Sequence, residues 1–343
     1  MTETRRNGGP GAQRILLSHG AGGKLTHKLI QDLFVPRYGN EILAALLDGA
    51  VLPPQEGDPV LTTDSYVVRP AFFPGGDIGS LAVHGTVNDL LMCGAKPLAL
   101  TVGFILEEGL SGETLQRICT SIGRAAREAA VQVVAGDTKV VERGHGDGIY
   151  INTTGLGFKP HGVALGPERV STGDAILING PVGQHGIAVL GARGDLPIAT
   201  PVCSDSKALN AEVEALLSLG AAVHLLRDPT RGGLATCLNE IAQTSGKGIV
   251  LEEGSIPRDA GVEEACELLG FDSLYVANEG KVVAVVEGAR AGEALEALRS
   301  AGASEAAIIG TVTGEEPLVV GRGAAGGERL LDMLSGDPLP RIC

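Results

Sequence analysis

The sequence has no tryptophan, and aromatic residues make up only 3% of it. That removes the stacked-ring platforms on which single-stranded nucleic acid is held. Positive charge is scarce too. Lys and Arg number 27 against 41 Asp and Glu, and the net charge of −14 repels a phosphate backbone. Any nucleotide bound here is expected to come with metal ions. No apolar run approaches 18 residues and no secretory signal precedes the fold, so neither a membrane span nor export is expected. None of the six cysteines (Cys93, Cys119, Cys203, Cys237, Cys266, Cys343) is paired as C-x-x-C, which argues against a zinc site or a dithiol redox motif. The expectation is a cytoplasmic protein with reduced thiols.

A hydrophobic content of 44% with 20% charge fits an ordinary globular chain, and 343 residues suggest two domains, or one large one, with ample core. Glycine, at 51 residues, is about twice its usual share and follows no period, which points to many tight turns. Residues 1–13 read as a disordered leader, 14–160 as a first domain, 161–320 as a second and 321–343 as a mobile tail.

Arg14–Leu17 is expected as a short strand entering Ser18-His19-Gly20-Ala21-Gly22-Gly23-Lys24 and then a helix. A glycine loop that opens a helix can offer N–H groups to phosphate, with Lys24 adding charge, but the spacing is not a Walker A motif and a plain turn reads equally well. Four aspartates fall where buried elements meet Gly, Asn or Thr. They are Asp64 after an apolar strand, Asp89 beside Asn88 in the helix 80–93, Asp137 in Gly136-Asp137-Thr138-Lys139, and Asp228 before Pro229-Thr230-Arg231-Gly232-Gly233. Each can be a turn former, a cap or an ion-pair member. Alternatively, they hold Mg²⁺ on a triphosphate, since each ion takes one or two carboxylates and leaves the rest of its shell to phosphate and water. His185 lies in a glycine-rich turn and is read as bonded to backbone before it is read as catalytic. Glu279, between Asn278 and Gly280, has the setting of a turn residue.

The tail ends Pro338-Leu339-Pro340-Arg341-Ile342-Cys343. Roughly twenty Gly- and Pro-rich residues reach up to ~60 Å when extended, so this thiol can visit a pocket elsewhere on the protein. A frayed end of no consequence is the plainer reading.

These pieces together, from the glycine loop at 18–23 through Thr63-Asp64-Ser65-Tyr66, Phe73-Pro74-Gly75-Gly76-Asp77-Ile78-Gly79, Gly85-Thr86-Val87-Asn88-Asp89-Leu90, Gly136–Lys139 and Asp228–Gly233 to Pro340-Arg341-Ile342-Cys343, resemble the HypE family of nickel–iron hydrogenase maturation over residues 14–343. The resemblance implies a two-domain α/β fold of the aminoimidazole ribonucleotide synthetase type. Its N-terminal domain pairs across a homodimer into a β-barrel, and ATP lies between the domains. It implies a carbamoyl dehydratase. A HypF-type carbamoyltransferase loads a carbamoyl group on Cys343, ATP drives its dehydration to thiocyanate, and cyanide passes to iron on a HypC–HypD complex. Asp64, Asp89, Asp137 and Asp228 would hold Mg²⁺ and phosphates, with Asn88 and Lys24 on the nucleotide. Lys139 and Glu279 would lie where the tail docks, with Glu279 as general base. The alternatives are a small-molecule synthetase or kinase of the same superfamily and a non-catalytic maturation scaffold.

Overall fold

Two sheets organise the chain. The structure is a computed structural model and describes residues 14–194, 200–314, 316–334, 336, 339 and 341–343. The expected leader lies outside the described residues.

The expected strand at Arg14–Leu17 is only a single bridge from Arg14 to Ser111, after which Leu17–Gly20 turns as a 3-10 helix. Short helices α1 (Lys24–Leu29), α2 (Val35–Tyr38) and α3 (Glu41–Ala44) follow. Strand β1 (Asp58–Tyr66) leads through the small hairpin β2 (Phe72–Phe73) and β3 (Gly76–Asp77) into α4 (Ile78–Met92). Then come β4 (Lys96–Glu107), α5 (Gly112–Glu128), β5 (Gln132–Val141) and β6 (Ile149–Lys159). The four long strands form one sheet in the order β1-β6-β4-β5.

Helices α4 and α5 cover one face of this sheet, and their sequences differ accordingly. α5 is amphipathic, with Leu115, Ile118, Ile122 and Ala126 buried at helical spacing and Arg117 and Arg124 outside. α4 is apolar all round because it is enclosed by the sheet, by α5 and by the second domain. Its first turn is capped by Asp77, whose carboxylate accepts from the N–H groups of Gly79 (2.8 Å) and Ser80 (3.1 Å). The opposite face of the sheet is open, and Leu61 on β1 and Ile105 on β4 stand 71% and 46% exposed.

The second domain contains β7 (Ala175–Ile178), α6 (Gln184–Arg193), α7 (Asn210–Leu217), β8 (Val223–Arg227), α8 (Gly233–Ser245), β9 (Gly248–Glu252), α9 (Ala260–Leu269), β10 (Val283–Val286), α10 (Ala291–Ser300), β11 (Ala307–Thr313), β12 (Val319–Arg322) and β13 (Glu328–Leu330). Its seven strands run β13-β12-β9-β11-β7-β10-β8. β7 and β10 are buried at every residue, as expected where both faces of a sheet are covered. The segment expected as tail from 321 onward still contributes β12 and β13. Leu331 is buried and its carbonyl accepts from Asn239, so the second domain extends to about that residue. Among the described residues no helix is long and apolar enough to cross a membrane.

The crossing of α5 on the N-terminal helices depends on Gly123, where an added Cβ would stand 2.1 Å from the carbonyl oxygen of Arg37. Gly123→Ala should therefore cost about 1–3 kcal/mol, as overpacking does, and lower the thermal midpoint by several degrees. An unchanged melting curve would show that the helices separate freely.

Candidate active site between the two sheets

Carboxyl groups from both domains converge at the inner face of the first sheet. On β1, Thr62, Asp64 and Tyr66 alternate toward α4. The Thr62 hydroxyl donates to Asp89 Oδ2 (2.7 Å), and the Tyr66 hydroxyl donates to Asp64 Oδ2 (3.0 Å). Gly85 on α4 makes room for this, since a Cβ there would lie 2.2 Å from the Tyr66 oxygen. Asp228 arrives from the second domain just past β8. Its loop is tied down by Asn278, whose side-chain amide donates to the Pro229 carbonyl (2.8 Å), and two left-handed glycines, Gly232 and Gly233, turn the chain into α8. Burial, then Asp228, then Asp64 push Asp89 up to about 7. Burial is also the main cause lifting Asp228 to about 6, with Asp64 adding to it. Glu279 is buried and held well above the usual carboxylate range, first by burial and then by Asp228, Asp205, Asp64 and Asp89.

Asp205 fixes the backbone that carries Glu279. Its carboxylate accepts from the N–H groups of Glu279 (3.1 Å) and Gly280 (3.1 Å) and pairs with Lys281 Nζ (2.9 Å), in the interior. Gly280 is obligatory here, because a Cβ would fall 1.8 Å from the Asp205 carbonyl oxygen. Sequence reasoning missed Asp205 and Lys281. The signal was faint, a polar run Cys203-Ser204-Asp205-Ser206-Lys207 with no periodicity.

The tail is docked in this cleft. The N–H of Val67, one residue past β1, donates to the Cys343 carbonyl (3.1 Å), and the N–H of Arg69 donates to that of Arg341 (3.3 Å), an antiparallel pairing. From the second domain, His185 Nε2 lies 3.0 Å from the Ile342 carbonyl and Arg193 donates to that of Arg341 (2.7 Å). Burial pushes His185 below its ordinary value, so the ring is neutral and donates from Nε2, while Nδ1 accepts from the Ser204 hydroxyl (2.8 Å). The histidine therefore bonds to backbone, as the sequence suggested, and the backbone is that of the tail.

The remaining expected site residues lie apart. β5 runs straight through Gly136–Lys139, which had been read as a junction. Asp137 shares a rung of the sheet with Ser65, Asn152 and Gly103, while Asp64 shares the next rung with Thr153, Val102 and Gly136. Adjacent rungs point to opposite faces. Asp137 is thus three strands away from Asp64, about 14 Å by strand spacing, and on the open face. There it pairs with Lys139 (2.8 Å), whose ammonium holds its carboxyl below the usual range. The glycine loop lies at the same edge: a Cβ on Gly20 would stand 2.4 Å from the Val140 nitrogen, and Lys24 is exposed at the start of α1. Asn88 is not available to a nucleotide. Its side chain donates to the Lys207 carbonyl (3.0 Å) and accepts from the N–H of Leu209 (3.0 Å), which fastens α4 to the second domain.

The donor set of the cleft is hard oxygen, which suits a magnesium or similar cation better than zinc. Among the described residues no three His, Cys, Asp or Glu side chains close into a finished ligand cage.

Because Asp89 and Asp228 are raised, their contribution to stability is full below the unfolded-state value near 4 and is lost as pH rises through about 6 to 7. Asp228→Asn should bring Asp89 down from about 7 and make the metal-free protein melt higher at pH 8 than the parent. Carboxyl NMR titration and melting curves at pH 5 and 8 check both. An Asp89 that still titrates near 7 would mean that Asp228 does not contribute to its shift.

The two domains match family models: the AIR synthase related protein N-terminal domain over residues 47–158, and the C-terminal domain over 171–322. The carbamoyl dehydratase HypE of Cupriavidus necator is 51% identical over 333 residues, which cover 96% of this chain and 95% of that protein. The crystal structure of hydrogenase maturation protein HypE in complex with ATP superposes with a TM-score of 0.91 at 50% identity, covering 96% of this chain and 99% of that one. A chain of a HypE–HypF complex superposes with a TM-score of 0.79 at 48% identity, covering 89% and 99%. The chain belongs to the HypE family of carbamoyl dehydratases, hydrogenase maturation enzymes built from two AIR synthase-related domains.

Proposed function

We propose that this enzyme dehydrates a carbamoyl group carried on its own Cys343 to a thiocyanate, at the expense of ATP, and so supplies the cyanide ligand of hydrogenase iron. The observation that carries this reading is the place of residue 343. Its main chain is bonded to Val67, next to Tyr66, in the cleft where Asp64, Asp89, Asp228 and Glu279 crowd together. A HypF-type carbamoyltransferase would load the thiol in the cytoplasm, and a HypC–HypD complex would receive the cyanide. The HypE relatives solved with ATP and with HypF support the first two participants.

The chemistry follows from the leaving group. The oxygen of S–C(=O)–NH₂ leaves poorly as hydroxide and readily as phosphate. Attack of that oxygen on the γ-phosphoryl group of ATP gives ADP and an O-phosphorylated intermediate. Loss of two protons from nitrogen and of phosphate from carbon then forms C≡N, so the carbamoyl oxygen ends in phosphate. Glu279 would take a nitrogen proton once a bound cation offsets the burial and the neighbouring carboxylates that otherwise hold it protonated, and Asp205 fixes its backbone. Tyr66, kept protonated by burial and by Asp64, donates its hydroxyl to the Asp64 carboxylate. Asp64, Asp89 and Asp228 would hold Mg²⁺, which when bound offsets their mutual repulsion and the phosphate charge.

One chain supplies only part of this site. The open face of the first sheet, with Leu61 and Ile105 uncovered, is suited to a second copy. Both edges of that sheet, β1 and β5, are unpaired within it. Closure of two sheets into an intersubunit barrel, β5 of one copy beside β1 of the other, would bring Asp137, Lys139 and the loop with Lys24 to the other copy's acidic cleft. Lys139 would then orient the carbamoyl group.

With ¹⁸O in the carbamoyl group, mass spectrometry should find the label in phosphate and the Cys343 peptide lighter by one water. Label in bulk water would overturn the phosphorylation step. Glu279→Gln should slow turnover by about 10²–10⁴ with ATP binding kept. A shared site makes a further demand: Asp137→Asn and Asp228→Asn, each inactive, should regain about a quarter of the parent activity when mixed and allowed to exchange subunits. No recovery would mean that Asp137 does not complete the site of a second copy.

A further inference from the structure

The groove that receives the tail is built from parts the dehydration chemistry does not use. Arg193 spans it, donating from Nε to the Arg69 carbonyl (2.9 Å) and from its terminal nitrogen to the Arg341 carbonyl (2.7 Å). The Arg341 side chain returns a bond from Nε to the Val67 carbonyl (3.1 Å) and pairs with Asp147, which also faces Arg69 at 3.9 Å. Two apolar side chains anchor the segment: Ile342 is 2% exposed and Leu339 4%. Leu339 rests on Gly186 at the start of α6, where a Cβ would stand 3.4 Å from it. Arg341 has φ +58°, in the left-handed region, which costs a non-glycine residue about 1–2 kcal/mol. The contacts therefore hold a conformation that the free tail does not prefer.

This is the anatomy of a strand-addition peptide site: main-chain bonds at alternate residues, two apolar anchors and one charge pair. We infer that Val67–Arg69, Asp147, His185 and Arg193 form a peptide receptor for residues 339–343, one that also accepts the same segment in trans, from a free peptide or from the tail of another molecule. The covalent tail is then an exchangeable ligand that competes at high local concentration. The inference deepens the proposed function by naming what holds residue 343 in the cleft. Because peptide occupancy is read without ATP, its failure and that of the dehydration chemistry are distinguishable.

The test uses the full-length protein. A synthetic peptide of residues 335–343 with Cys343→Ser is titrated in without nucleotide, and alkylation of the protein's own Cys343 is followed by peptide mass spectrometry. The exposed Cys93 and Cys203 serve as internal references. Alkylation of Cys343 should accelerate saturably with peptide, while the references stay constant. Arg193→Ala should raise the basal rate about tenfold, the scale of one charge-assisted hydrogen bond lost, and Asp147→Asn should raise it as well. Melting curves show whether each variant is folded, and the two substitutions serve as independent readouts. An alkylation rate indifferent to peptide would overturn exchange in trans. A rate unchanged in both folded variants would overturn the assignment of the receptor.

Discussion

Carboxyl groups crowded into one cleft cannot all be ionised without a counterion. Asp64, Asp89, Asp228 and Glu279 come from two domains and from distant parts of the sequence, yet, on top of burial, Asp228, Asp64 and Asp89 each raise the proton affinity of Glu279. Nothing about folding the metal-free chain favours such an arrangement, because burial and the neighbouring carboxylates disfavour the charged forms of Asp89, Asp228 and Glu279. The rest of the construction keeps it in place. Asn88 fastens α4 to the second domain, Asp205 holds the peptide of Glu279 with a compensating ammonium from Lys281, and Gly85 and Gly280 remove the side chains that would wedge the parts apart. On the proposed reading, a bound cation and the phosphates that accompany it would offset this repulsion. This also answers how a chain of net charge −14 can take a nucleotide.

The period of a β-strand decides how far one chain can go toward that end. Asp64 and Asp137 occupy neighbouring rungs of the same sheet, and a shift of one rung turns a side chain to the other face. No small adjustment brings them together. Either Asp137 serves elsewhere or a second sheet brings another copy of it round the edge. Leu61 and Ile105 are uncovered on that face, beside the polar Ser65, Asn152 and Asp137.

Much of this was legible before any coordinates. α5 announces itself by period, α4 by its unbroken apolar character, and the Asp228–Gly233 loop by glycines that only a tight turn requires. Asp64, Asp89 and Asp228 lie close enough to interact. Asp137 does not, because Gly136 and Thr138 look like punctuation but pass through the strand, and side-chain identity cannot show which face a residue takes. Asn88, expected on the nucleotide, bonds to backbone instead: its neighbourhood is apolar, and a buried amide satisfied by backbone looks, in sequence, like one waiting for a ligand. Asp205 and Arg193 left almost no trace, since each acts on main-chain atoms that any residue type would supply. The extent of the tail was overestimated because β12 and β13 are short and rich in glycine and charge.

A substrate group attached to its own enzyme raises a problem that free substrates do not. Tethering gives a high local concentration, and a tight site would then never empty. The docked tail resolves this by dividing its attachment among contacts that are individually modest: two strand bonds, two carbonyls held from the second domain, one charge pair and two buried side chains. Against these stands a residue at positive φ, whose strain is relieved the moment Arg341 leaves. The docked and free states are thereby brought within reach of one another, which the proposed carrier role of Cys343 would require. The same main-chain recognition that makes the tail releasable also makes the receptor blind to which molecule the tail belongs to.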